Sequence, residues 1–115
     1  MEYNDLVGIP FRMGGHDITG MDCWGLVVEF YKRMGFYIET PLDGGWERAT
    51  PPFRFGDVLA FGFVGSLSVT HCGIWIGGNK ILHAMDRLGV IISPLRHMNK
   101  RFHGAYRYAA TCCNT

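Results

Sequence analysis

The sequence predicts an α+β domain in which one helix near the start packs on an antiparallel sheet of about five strands. Three observations predict it. Apolar residues recur at helical spacing from Cys23 to Met34, the mark of one amphipathic helix. Short apolar runs rich in β-branched and aromatic residues then follow, separated by Gly, Pro and Asn, as strands are. The order is a helix first and strands afterwards, which places the helix against one side of an antiparallel sheet.

The elements follow in order. Residues 1–21 read as irregular, punctuated by Pro10, Gly14-Gly15 and Gly20. Asp22 suits an N-cap. Leu26, Val27, Phe30, Tyr31 and Met34 follow Cys23 at spacings of 3, 4, 7, 8 and 11. They share one helical face, so a helix is expected over 23–34, with Cys23 opening it on the buried side. Gly35 is the expected stop. Residues 36–55 read as a loop holding Pro41, Gly44-Gly45, Trp46 and Pro51-Pro52. Asp57 to Phe63 is almost wholly apolar, as in a strand covered on both faces. Thr70–Ile76 and Lys80–Met85 flank Gly77-Gly78-Asn79, a hairpin signal. Val90–Ser93 and Gly104–Tyr108 are shorter strand candidates.

At 115 residues, 48% hydrophobic, the chain suffices for one core and reads as a single domain over 1–115. A net charge of +1, from 11 basic and 10 acidic side chains, gives no case for nucleic acid. The densest basic stretch, Arg96 to Arg101, reads as a solvated turn. No apolar run approaches the roughly 20 residues of a membrane span. The first residues show neither a basic start nor a long apolar stretch, so synthesis in the cytoplasm without a signal peptide is expected. The four cysteines, Cys23, Cys72, Cys112 and Cys113, lack the spacing of a disulfide scaffold. A zinc site from Cys23, His71, Cys72 and His83 would lack paired-ligand spacing, and no metal or cofactor is called for.

Cys23, His71 and His83 carry the chemistry. A thiol in the first turn of a helix sits among unpaired N–H groups and the positive end of the dipole, both of which favour thiolate. Position alone equally allows a small buried helix residue. His71 opens a strand on which Cys72, Ile74 and Ile76 share the apolar face, leaving His71, Gly73 and Trp75 on the other. His71 and His83 are 12 residues apart. A three- or five-residue connection puts both on one face, opposite or diagonal, with Cβ atoms about 4.5–8 Å apart. A two-residue turn without a bulge would break this parity. A histidine held by a second polar group keeps one tautomer, the arrangement a Cys–His–X triad needs. Cys72, on the core face, reads as structural. His16, His97 and His103 read as surface or loop residues.

At these residues the sequence resembles the NlpC-type cell-wall peptidases, which are papain-like. Gly8-Ile9-Pro10-Phe11, Gly14-Gly15 and Asp17 resemble the family's lead-in. Asp22-Cys23-Trp24-Gly25-Leu26-Val27 resembles its nucleophile motif, and Gly56-Asp57-Val58-Leu59-Ala60-Phe61 the strand before the histidine. His71-Cys72-Gly73-Ile74-Trp75-Ile76-Gly77 resembles the histidine strand, Ile81-Leu82-His83-Ala84 the third catalytic segment, and Phe102 to Tyr108 the closing strand. The resemblance implies Cys23 as nucleophile, His71 as general base and His83 as the third, polar member. The implied activity is hydrolysis of an amide bond in peptidoglycan stem peptides, usually D-γ-glutamate to diaminopimelate. The substrate-side residues expected with it are Phe11, Asp22, Trp24 and Gly73; Trp46 either lines the substrate groove with Gly44-Gly45 or anchors the loop.

Two features depart from the common pattern. Phe11, 12 residues before Cys23, stands where family members often carry a tyrosine near the oxyanion, and it has no hydroxyl to donate. Trp24 stands where many carry serine. The Asp-Cys-Trp-Gly form is similar to that of phage tail-assembly and tail-tip members, which implies delivery by a virion or related particle. Two other functions fit the same residues: a wall-binding or tail-assembly module without turnover, and an acyltransferase or deamidase using the same triad.

Overall fold

The computed structural model describes residues 1–38 and 45–112. Pro41, Gly44 and Cys113, on which parts of the loop, groove and cysteine readings rest, lie outside the described residues. The elements are β1 (His16–Asp17), β2 (Gly20–Met21), α1 (Cys23–Arg33), β3 (Trp46–Ala49), β4 (Val58–Gly62), β5 (Val69–Gly77), β6 (Lys80–Met85), β7 (Gly89–Pro94), β8 (Phe102–Tyr108) and α2 (Ala109–Cys112), with short 3-10 turns between some of them. β1 and β2 form a small hairpin. The other strands form one antiparallel sheet in the order β3-β8-β4-β5-β6-β7.

The fold is the expected α+β arrangement, with six strands in the main sheet instead of five. The sixth is β3, inside the stretch expected to be loop. Trp46-Glu47-Arg48-Ala49 has little strand character of its own; it is an edge strand formed by pairing with Tyr108 through Ala105 of β8. Residues 1–21 are also more ordered than expected. A 3-10 turn at Asn4–Leu6 and the β1–β2 hairpin bury Leu6, Ile9 and Met21.

α1 begins and ends where its sequence says. The Asp22 carboxylate accepts the Gly25 N–H at 2.7 Å, capping one of the orphan donors. At the far end Phe36 N–H returns to Tyr31 C=O and Gly35 N–H to Lys32 C=O, with Gly35 at φ +94°. That is a Schellman stop, and the left-handed residue is a glycine for steric reasons.

The sheet is covered on both faces. On one, Leu26, Val27 and Phe30 of α1 pack over Ile74, Leu82 and Val90. On the other, Leu59, Phe61 and Ile81 pack with Met98 and Ala105. β4 is therefore buried along its whole length, as its continuous apolar run predicts. Behind it Asp57, 2% exposed, pairs with Arg107 through two contacts of 2.8 and 2.7 Å. The same carboxylate accepts the Arg54 N–H. The pair ties the start of β4 to β8. Removing one partner of a buried pair strands the other charge, at about 3–5 kcal/mol. Asp57→Ala is expected to lose about 3 kcal/mol in urea unfolding, the lower end because Arg107 retains solvent access. A loss below about 1 kcal/mol would contradict this role for the pair.

Candidate active site

The histidines meet through the β5–β6 hairpin. Ile74 pairs with Leu82 and Trp75 with Ile81, but the next pair is Gly77 with Lys80. One extra residue therefore sits in β5, a bulge. Gly78 and Asn79 form the two-residue turn, both at positive φ (61° and 58°), as a type I′ turn requires. A two-residue turn alone would have put His71 and His83 on opposite faces; the bulge restores them to the same one. Gly73 makes room between them. A Cβ there would lie 3.2 Å from the His83 Cβ and 3.3 Å from Ile81 Cδ1, tighter than ordinary packing.

The outcome is a direct contact, His71 Nε2 to His83 Nδ1 at 2.8 Å. The other His83 nitrogen, Nε2, lies 2.8 Å from Ser93 Oγ on β7. His83 is 1% exposed. Burial, with His71 adding charge repulsion, lowers its pKa to about 4, so it is neutral at pH 7. With His71 Nε2 committed to His83, Nδ1 is the nitrogen left for a thiol.

Cys23 is brought to this row by the start of α1. Besides capping Gly25, Asp22 accepts the Gly14 N–H at 2.9 Å. Gly15 C=O accepts the Asp22 N–H. A Cβ on Gly25 would fall 2.0 Å from that same carbonyl oxygen, so only glycine lets the lead-in lie this close to the helix. Cys23 then borders, with His71, a cleft of about 560 Å³, and with His71 and Cys72 a smaller pocket of about 220 Å³. Its thiol pKa is lowered to about 4. The largest cause is a hydrogen bond from the Cys72 thiol. Burial opposes it; hydrogen bonding to His71 and to the Cys72 backbone, and attraction to His71, add to it. Cys72 is pushed the other way, well above the ordinary thiol value, by its bond to Cys23 and by burial. The two sulfurs thus divide their roles: Cys23 gives up its proton and Cys72 keeps one to donate. Cys72 packs in the core as expected, and it is also a neighbour of the Cys23 sulfur.

The remaining expected residues divide. Phe11 and Asp22 line the larger cleft and Trp24 the smaller pocket. Trp46 is not at either; it packs among Trp24, Tyr31 and Tyr108. Gly73 accommodates His83 and lines neither. Arg101 departs from the solvated-turn reading. It lines the larger cleft, donates to Gly62 C=O at 2.9 Å and lies over the Phe63 ring. Asp86 adds an opposite charge to the same cleft. Ser93 and Arg101 escaped sequence reasoning. The one signal for Ser93 was a polar residue closing the apolar run Val90-Ile91-Ile92, which does not show what it faces; Arg101 gave none. Among the described residues no three His, Cys, Asp or Glu side chains gather as metal ligands.

Iodoacetamide near neutral pH is expected to alkylate Cys23 and leave Cys72 unlabelled, read by peptide mass mapping. Equal, slow labelling of both would contradict an activated thiol.

Comparison with known proteins gives a consistent grouping. The NlpC/P60 family pattern matches residues 8–107. The chain is 33% identical over 114 residues to murein DD-endopeptidase MepS/murein LD-carboxypeptidase of Escherichia coli K12, covering 92% of this chain and 59% of that enzyme. It is 32% identical over 85 residues to γ-D-glutamyl-L-lysine dipeptidyl-peptidase of Bacillus subtilis, covering 68% and 28% respectively. An NlpC/P60 family protein from Bacillus cereus superposes with a TM-score of 0.78 at 28% identity, over 90% of this chain and 37% of that one. The chain thus spans little more than half the length of the E. coli enzyme.

Proposed function

Because the chain belongs to the NlpC/P60 family, we propose that it is a cysteine hydrolase that cuts amide bonds in peptidoglycan stem peptides. The observation that carries this reading is the meeting of Cys23 and His71 at one cleft, with His83 locked behind His71. The names of its relatives, a murein endopeptidase and a γ-D-glutamyl peptidase, support the substrate class. The finer assignment, the D-γ-glutamyl to diaminopimelate bond, is part of the proposal. So is carriage by a phage tail or similar particle, supported by the Asp22-Cys23-Trp24-Gly25 form.

The chemistry follows from the groups present. The Cys23 thiolate attacks the scissile carbonyl carbon. The backbone N–H groups of Cys23 and Trp24 precede the first helical acceptor, Asp22 C=O to Leu26 N–H, so they remain available for the oxyanion. Phe11 adds no donor there. His71, carrying the thiol proton on Nδ1, passes it to the leaving amine, and the C–N bond breaks to give a thioester. His71 Nδ1 then takes a proton from water, whose oxygen attacks the thioester. The acid leaves and the thiolate returns. Arg101 and Asp86 give the cleft one charge of each sign, which suits a peptide bearing both carboxylate and ammonium groups.

Incubation with purified sacculi tests the reading. The wild-type chain is expected to release peptide fragments whose masses identify the bond cut. Cys23→Ala is expected to lower release by about three orders of magnitude or more, with an unchanged circular dichroism spectrum. Full activity in that variant would refute cysteine catalysis. An inert wild-type chain that still sediments with sacculi would favour the wall-binding module.

A further inference from the structure

The row Cys23, His71, His83 ends on a residue that triad reasoning leaves out. Two imidazoles in contact through one nitrogen each share a single proton, so one donates and the other accepts. His83 is buried and neutral, and therefore carries one N–H. If that proton sits on Nδ1, it meets His71 Nε2, which must then be bare; neutral His71 would hold its proton on Nδ1, and could not take one from Cys23. If it sits on Nε2, His83 Nδ1 is a lone pair, His71 keeps its proton on Nε2, and His71 Nδ1 is free to act as base. Transfer of the Cys23 proton to His71 favours the second pattern, and Ser93, whose Oγ is 2.8 Å from His83 Nε2, stands where it can accept the His83 proton. A hydroxyl can donate or accept. Ser93 is only half-buried, so its own proton can go to water while Oγ accepts.

We propose that Ser93 is a positioning residue that sets the protonation pattern of the whole row: Oγ accepts from His83 Nε2–H, His83 Nδ1 accepts from His71 Nε2–H, and His71 Nδ1 faces the thiol. The register supports the placement. Ser93 pairs with Ile81, and His83 with Ile91, so Ser93 lies diagonal to His83 on the adjacent strand, within side-chain reach. The three residues run obliquely across β5, β6 and β7. The kinetic consequence rests on the proposed hydrolase activity; the tautomer does not.

Long-range ¹H–¹⁵N correlation spectra of the histidine-labelled chain at neutral pH test this. Wild-type His83 is expected as the Nε2–H tautomer. In Ser93→Ala the Nδ1–H form should become populated, and kcat on a stem peptide should fall about two- to tenfold at unchanged KM, the scale of one lost hydrogen bond. Ser93→Thr, which keeps the hydroxyl, should restore both. Wild-type His83 carrying its proton on Nδ1 would overturn the proposal. So would Ser93→Ala with a pure Nε2–H tautomer and undiminished kcat. Should Ser93→Ala fail to fold, the wild-type and Ser93→Thr spectra decide. A wild-type chain inert on stem peptides would defeat the hydrolase reading and leave the tautomer assignment standing.

Discussion

The position of Cys23 depends on one carboxylate. Asp22 takes the Gly25 N–H on one oxygen and the Gly14 N–H on the other, so the helix start and the lead-in loop move as one piece. Gly25 lets the two backbones approach to a distance that no side chain there would permit, and Gly15 does the same within the lead-in, against Gly20 and Arg12. The helix is pressed onto the sheet by Leu26, Val27 and Phe30. Its first turn therefore arrives beside the start of β5 with a fixed orientation, and the sulfur is delivered by backbone hydrogen bonds and apolar packing together.

The sheet supplies the partners by a different device. Strand alternation alone would not have aligned His71 with His83 across a two-residue turn. A bulge beyond Trp75 shifts the register by one, and a glycine opposite His83 gives its ring room. The nitrogens then contact across adjacent strands. Burial keeps His83 uncharged, so the row orients His71 without adding a second charge beside it. On the sulfur side, Cys72 from the same strand as His71 donates to Cys23. One strand thus presents its neighbouring residues, one from each face, to the same helix terminus.

Much of this was legible in the sequence, because the signals are local. The cap, the helix and its glycine stop follow from spacing and residue type over a dozen positions. The strands from Asp57 onward follow from apolar runs and turn residues, and the histidine pair from parity once a bulge is allowed. What was not legible depends on distant partners. Trp46–Ala49 is a strand because β8 lies beside it. Trp46 consequently joins an aromatic cluster away from the cleft. Arg101 reads as solvated until Gly62 and Phe63 are seen next to it. Cys72 reads as core until the helix start is placed over it. Ser93 needs the β6–β7 register, which two short strand candidates do not fix.

The fold holds Cys23 as a thiolate before any substrate arrives. The direct measurement is the ultraviolet thiolate absorbance as a function of pH, taken as the difference between the wild-type chain and Cys23→Ser, with folding followed by circular dichroism. The structure predicts a midpoint near pH 4 for Cys23. A midpoint near 9, the value of an unperturbed thiol, would contradict the account.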